Sequence, residues 1–223
     1  MVALLGDAYA TVSRFAEMLA EEGVLRGLIG PREVPRLWER HLLNSAVVAP
    51  HLPDSGTVVD VGTGAGLPGV VIAAMRPDLH VVLLEPMERR VAWLNEVVAE
   101  LGLTSAEVVR GRAEELRGVL RADAITARAV APMDRLAAWT LPLLGVGGSL
   151  VAMKGQHAAA ELSSAAGVIR SLGGSAGEVI EAPTLDGLRP TYLVRVVRER
   201  VIGTAPVSGG TRPKRARSSG RRS

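Results

Sequence analysis

Asp60, Gly62, Gly64, Gly66 and Glu85 are the residues of this chain whose types and spacing carry the clearest chemistry. Most of them fall in the stretch VVDVGTGAGLPG, from Val58 to Gly69, where an apolar, β-branched run reaches an acid and then a glycine at every second position. The pattern predicts a buried strand that turns sharply into a loop, with Pro68 opening the next helix. Glycines at 62, 64 and 66 let the main chain take unusual φ values and let a ligand approach without meeting a Cβ, so a nucleoside is expected to fit there. Gly64, Gly66 and Gly69 also spell GxGxxG, with Glu85 at about the distance of a ribose-binding acid in a dinucleotide fold. A glycine turn with only a structural role is the third reading.

The elements that would position this loop follow from hydrophobic periodicity. Val12, Phe15 and Leu19 define one face of a helix from about Asp7 to Glu22, and glycines 23 and 27 break it. Pro31 and Pro35 frame a second helix, VPRLWERHLLNSAVVAPHL, and together these form an N-terminal helical cap over residues 1–52. A sheet domain then spans 53–202. HVVLLEP is continuously apolar, as expected of a parallel strand covered on both faces, and ends at Glu85. Met87 to Leu101 carries Val91, Leu94, Val97 and Val98 at helical spacing, with Gly102 as its C-terminal cap. AEVVR, DAITARA, SLVAMKG, GEVIEAP and TYLVRVVR complete seven strands, with helices at Pro132 and at Gln156 to Leu172. The alternation predicts an α/β fold with a doubly wound, mostly parallel, Rossmann-like sheet. In such a sheet ligands gather at the carboxyl ends of the strands where the strand order reverses, which selects the loop from Gly62 to Leu67, Glu85, Arg112, Ala113, Glu114, Thr126, Arg128 and Lys154. Arg112 and Glu114 alternatively pair with each other at a helix start.

Composition excludes several classes. No cysteine occurs among the 223 residues, so disulfides, thiolate metal sites and a thiol nucleophile are ruled out. Only four histidines are present, without a second ligand at metal spacing, and no metal is expected. The N-terminus lacks a basic leader followed by a long apolar run, and no stretch has transmembrane length, so a cytoplasmic, membrane-free protein and a monomer are expected. The net charge of +3 hides an asymmetry: residues 203–223 hold six basic residues and no acid, leaving a body with 20 basic and 23 acidic residues. That tail is expected to be disordered, with Lys214 and Arg215 available to phosphates unless it is merely a solvated terminus. Arg36, Arg40 and His41 lie within one or two turns of each other and are candidates to meet nucleic acid, although a lone histidine beside Trp38 also suits plain packing. Aromatic residues are only 3%, which limits base stacking on rings.

The fuller string, with Asp60 two residues before Gly62 and a G-x-G-x-G core, resembles the first motif of S-adenosylmethionine-dependent methyltransferases. The resemblance implies that Asp60 organises the loop, that the loop packs on the methionine and ribose end of the cofactor, and that Glu85 binds ribose hydroxyls. Within that class, the missing cysteine excludes methylation at pyrimidine carbon five, and TARAVAPM lacks the Pro-Pro pair usual for exocyclic amines. An acceptor with its own lone pair, such as guanine N7, needs only to be held in line with the methyl group and requires no general base. The series RLWERHLLNS, VVDVGTGAGLPGV, EPMERRVAWL, GRAEEL, TARAVAP and LVAMKG, from about Arg36 to Gly155, resembles the bacterial 16S ribosomal RNA guanine-N7 methyltransferases, also called glucose-inhibited division protein B. That resemblance implies cofactor contacts at Gly62, Gly64, Leu67, Glu85, Ala113, Glu114 and Arg128, and a substrate that is 16S ribosomal RNA or the small ribosomal subunit. Glu85 and Asn44 stand where the family more often has aspartate. Arg128 is then expected to bridge cofactor and RNA, with Lys154 and the rim arginines on phosphates. The alternatives are a methyltransferase acting on a small molecule, a non-enzymatic RNA-binding assembly factor, and an NAD-dependent oxidoreductase, for which Tyr9 and Tyr192 lie too near the chain ends to serve as proton donors beside the sheet.

Overall fold

The computed structural model describes residues 2–182 and 190–202. Seven strands, β1 (Gly56–Val61), β2 (Leu79–Glu85), β3 (Ala106–Arg110), β4 (Ala122–Arg128), β5 (Leu144–Lys154), β6 (Glu178–Ala182) and β7 (Thr191–Val197), form one sheet in the order β3-β2-β1-β4-β5-β7-β6. Strands β1 to β5 pair in parallel, while β7 runs antiparallel to both β5 and β6. The expected mostly parallel, seven-stranded architecture is therefore present. Its strand order reverses at β1, which has β2 on one side and β4 on the other.

Among the described residues, seven α-helical segments flank the sheet: α1 (Val2–Leu5), α2 (Tyr9–Glu22), α3 (Leu43–Ala46), α4 (Gly69–Met75), α5 (Glu88–Glu100), α6 (Met133–Thr140) and α7 (Ala158–Ser171). The stretch expected as one helix after Pro35 is wound in pieces, with 3-10 turns at Val34–Arg36 and Ala49–His51, a π-turn at Trp38–Leu42, and α3 between them. Pro35 and Pro50 sit inside the two 3-10 turns, where their missing N–H groups interrupt a continuous ladder. Pro68 precedes α4 rather than filling its first turn, and its peptide bond with Leu67 is cis.

Neighbouring strand residues send side chains to opposite faces, and both faces are apolar because helices cover both. Val58, Val81, Leu83 and Ala124 face the N-terminal segments, α4 and α5, whereas Val59, Val82, Ile125 and Ala152 face α6 and α7. The N-terminal helices thus share one core with a sheet face. Phe15 of α2 is fully buried, and a Cβ placed on Gly66 would lie 3.2 Å from its Cζ. In the same core, Trp93 of α5 is buried and its Nε1–H donates to the Ala65 carbonyl at 3.0 Å. The glycine loop is therefore packed from beneath by two aromatic rings on separate helices. Phe15→Ala, which removes one of them, is expected to lower stability by about 3–5 kcal/mol, read as a reduced denaturant midpoint.

Candidate active site

The loop is hung from two buried carboxylates. Asp60 is fully buried, and its Oδ2 accepts the Gly69 N–H at 2.7 Å. Glu85 is 2% exposed; its Oε2 accepts the Gly64 N–H and its Oε1 the Met87 N–H, each at 3.0 Å. Arg90 Nη1 stands 3.7 Å from the same Oε2. The Leu84 carbonyl accepts from Gly62 N–H at 2.8 Å and Thr63 N–H at 3.2 Å, and the Glu85 carbonyl accepts from Gly111 N–H at 3.3 Å. The end of β2 thus ties together the loops after β1 and β3.

Two glycines have separate duties here. Gly64 has φ +62°, and a Cβ added to it would meet nothing closer than 3.8 Å, so its open side faces the space a ligand would take. Gly69 leaves no such room: a Cβ there would come within 2.7 Å of Asp60 Oδ2 and closer still to Leu83. Its smallness keeps the N–H to carboxylate contact short.

Burial pushes the Asp60 carboxyl up to about 6, opposed by the Thr63 hydroxyl, the Gly69 N–H and the positive charge of Arg128. Asp60 Oδ1, Thr63 Oγ1 and Thr126 Oγ1 are buried without a hydrogen bond of good geometry, although the Thr63 hydroxyl lies near enough to Asp60 to favour its charged form, and Asp60 and Thr126 are paired residues of β1 and β4. Buried polar atoms are normally satisfied, so three of them at the reversal point mark a place where a polar ligand completes the set. With the open side of Gly64, they fit the amino-acid and ribose end of a nucleoside cofactor.

Arg128 ends β4 on the same face as Asp60 and is largely buried, which pushes its pKa down against the pull of Asp60 and Glu33. Its Nη1 lies 2.9 Å from Nδ1 of His41, whose Nε2 lies 2.7 Å from Glu33 Oε2. Burial lowers the pKa of His41, with Arg128 and Arg40 acting in the same direction and Glu33 opposing. The hydrogen bond from His41, joined by the charges of Arg40, His41 and Arg36, lowers that of Glu33. Ala129, next in the chain, has φ +55°, the one positive value at a non-glycine among the described residues, and backbone strain of this kind clusters at functional sites.

Beside Arg128 opens a cleft of about 1370 Å³ whose walls come from the cap, the loop after β4, the end of β5 and the start of β7. Arg36, Arg40, Arg128 and Lys154 line it, against Glu39 and Glu161. Lys154, 10% exposed, donates to the Ala131 carbonyl at 2.8 Å and pairs with Glu161 at 2.7 Å, so it braces two walls of the cleft.

The candidate residues divide accordingly. Gly62, Gly64 and Glu85 meet in the loop, and Arg36, Arg40, Arg128 and Lys154 meet in the cleft. Leu67 and Ala113 are each 3% exposed, so their side chains belong to the core. Glu114 is exposed in the turn Ala113–Leu116, and that turn is capped by Glu115, which accepts the Arg112 N–H at 3.0 Å, not by an Arg112–Glu114 pair. His41 has both ring nitrogens engaged within the protein instead of facing the cleft. Lys214 and Arg215 lie outside the described residues. Thr126 sits at the strand end where the sequence places it, whereas Glu33 and Arg90 enter the site without a spacing in the sequence that marks them for it.

Comparison with known proteins agrees with this geometry. Residues 8–182 match the family described as rRNA small subunit methyltransferase G. The chain is 56% identical over 193 residues to the ribosomal RNA small subunit methyltransferase G of Beutenbergia cavernae, covering 86% of this chain and 91% of the relative. It is 50% identical over 225 residues to the protein of the same name from Thermobifida fusca, covering 96% and 94%. Among solved structures, a SAM-dependent O-methyltransferase from Thermotoga maritima superposes with a TM-score of 0.58 at 16% identity, covering 77% of this chain and 72% of that one, a likeness of fold.

Two outcomes follow from the buried acid. Gly69→Ala is expected to destabilise the fold by about 2 kcal/mol or more, because neither Leu83 nor the Asp60 carboxylate has room to retreat. The Asp60 carboxyl, followed by carbon NMR, is expected to titrate near 6 rather than at 3.8. The sign for stability is set by that rise: the folded chain takes up this proton at a pH where the unfolded chain does not, so Asp60 adds stability as pH falls from above 6 toward 3.8.

Proposed function

Since the chain belongs to the rRNA small subunit methyltransferase G family, we propose that it transfers a methyl group from S-adenosylmethionine to N7 of a guanine in the decoding region of 16S ribosomal RNA. The observation that carries this reading is the junction at the end of β4, where a glycine loop hung from Asp60 and Glu85 adjoins a cleft lined by Arg36, Arg40 and Arg128. The cofactor, when bound, supplies a methyl group on a positively charged sulfur. Gly64 gives its nucleoside open backbone, Gly62 turns the chain close against Val130, and the buried oxygens of Asp60, Thr63 and Thr126 stand at its amino-acid end. Each Glu85 oxygen already accepts one main-chain N–H, and a carboxylate oxygen has a second lone pair for a ribose hydroxyl. Leu67 and Ala113 contribute main chain, and Glu114 stands at the outer edge.

Guanine N7 keeps its own lone pair, so the protein has no proton to remove and works by alignment. Glu85 suits that chemistry, since both its oxygens accept main-chain N–H groups, and Asp60 is fully buried with one oxygen on the Gly69 N–H, so neither is presented as a free base. In A-form RNA the groove that carries N7 is too narrow for side chains, and the acceptor is therefore an irregular or splayed guanine. Arg128 stands between the cofactor loop and the cleft, where its planar guanidinium can stack on or bond to the base. Arg36 and Arg40 take backbone phosphates, which position the RNA without reading its sequence. Residues 1–52 act as an RNA-facing cap on a catalytic domain over 53–202, and the basic residues of 203–223 add phosphate contacts. The protein works as a monomer in the cytoplasm; no helix among the described residues is long and apolar enough to cross a membrane.

The test is to incubate the protein with labelled S-adenosylmethionine and small subunits from cells lacking this enzyme, then map the label by chemical cleavage at N7-methylguanosine. A single modified guanine in the decoding region is expected; label on small molecules alone, or none with saturating cofactor, overturns the reading. Replacing Arg36 and Arg40 together by alanine is expected to raise KM for the subunits about tenfold at moderate salt. It should flatten the dependence of binding on salt by about one unit of slope per lost phosphate contact, with cofactor affinity unchanged.

A further inference from the structure

Resting on that function, we propose that His41 is a positioning residue: its neutral ring, carrying the proton on Nε2, latches Arg128 of β4 to Glu33 of the cap and so aims the remaining guanidinium N–H groups at the methyl acceptor.

The tautomer follows from chemistry and distance. A guanidinium has donors and no acceptor, so the 2.9 Å contact of Arg128 Nη1 with His41 Nδ1 is a hydrogen bond only when Nδ1 carries a lone pair. The ring proton is then on Nε2, where it donates to the Glu33 carboxylate at 2.7 Å. Each member of the chain leaves its neighbour one role. The His41 side chain is 16% exposed, and its main chain is fixed in the π-turn by the Ser45 hydroxyl, which donates to the His41 carbonyl at 2.6 Å. Both ends of the ring are therefore held.

The surrounding charges keep the ring neutral. Glu33 faces one nitrogen, Arg128 the other, and Arg40 adds a second cation from the same turn. Arg36 and Arg40 also act on Glu33, and Asp60 lies behind Arg128 on the sheet face. Burial and the two arginines lower the pKa of His41 against the opposing pull of Glu33. A second ring proton would set an N–H of His41 against an N–H of Arg128 and open the latch. Glu33 also pairs with Arg40 at 3.3 Å, so the carboxylate that orients the ring borders the arginines assigned to phosphates. A histidine that only filled space beside Trp38 would need neither partner.

Two variants separate latch from packing. Gln offers one acceptor and one donor in a side chain of similar reach and does not titrate, whereas Leu keeps the bulk and neither polar atom. His41→Leu is expected to lower kcat on small subunits by about tenfold to a hundredfold, the scale of a misplaced positioning group, while S-adenosylmethionine affinity by calorimetry stays within about threefold. His41→Gln is expected to recover most of that rate. The wild-type rate should fall as pH drops below the ordinary histidine range, and the Gln variant should lose that acid limb, apart from any loss that follows the Asp60 carboxyl. Nitrogen NMR of the free wild-type protein should report an unprotonated Nδ1 and a protonated Nε2 on His41. A protonated Nδ1 near neutral pH, a Gln variant as slow as the Leu variant, or a Gln variant that keeps the acid limb overturns the latch. The NMR reading needs no substrate: failure there overturns the latch alone, and failure of methyl transfer with that tautomer in place overturns the assigned substrate instead.

Discussion

A carboxylate shut away from water holds this molecule's working end in shape. Asp60, next to last in β1, accepts the N–H of the residue that starts α4, and by doing so sets how the chain passes from strand to helix. Burying such a group is unfavourable to its charged form, and the neighbouring Arg128 and Thr63 lessen that penalty without removing it. The arrangement also forbids a side chain at position 69. One electrostatic constraint thus dictates a glycine, a loop path and the placing of an arginine.

Arg128 carries the constraint outward. It belongs to the sheet, but the atom within reach of its guanidinium is a nitrogen of His41, whose other nitrogen is bound to Glu33. Two of the joins between cap and sheet differ in kind: the first is apolar packing around Phe15 and Leu19, the second a part-buried polar chain. Apolar contacts tolerate small slips, whereas a hydrogen-bonded chain has a single geometry that satisfies every member. The second join is what makes the orientation of the cap matter to a residue at the end of β4.

Much of this was legible in the chain itself, and the limits have physical causes. The run from Val58 to Gly69 announced its strand and loop because strand burial, glycine freedom and the terminal acid act locally. The seven strands could be counted from apolar runs, yet the reversed direction of β7 depends on pairings between distant segments. The sequence reads as one helix over 34–52, and two prolines with a π-turn divide it. Glu33 reaches His41 only because of that winding, so no helical spacing points to it. Glu115 rather than Glu114 caps its turn because the third residue of the turn is the one that can reach back. Lys154 was expected at the rim as a phosphate ligand; it lines the cleft and is also paired with Glu161 across the gap between β5 and α7, a partner that no pattern along either element identifies.

The indole of Trp93 touches the loop directly through the Ala65 carbonyl, with the Arg26 guanidinium 5.3 Å from its ring centre. Of the three tryptophans, Trp38 stacks on Tyr9 in the cap and Trp139 lies under Arg135 on α6, so each reports on a different district. Indole emission responds to its hydrogen-bond partner and to nearby charge. The protein consequently carries a built-in optical gauge, in which the colour and brightness of one ring follow the state of the loop, and a second ring, Trp38, sits in the turn that carries His41.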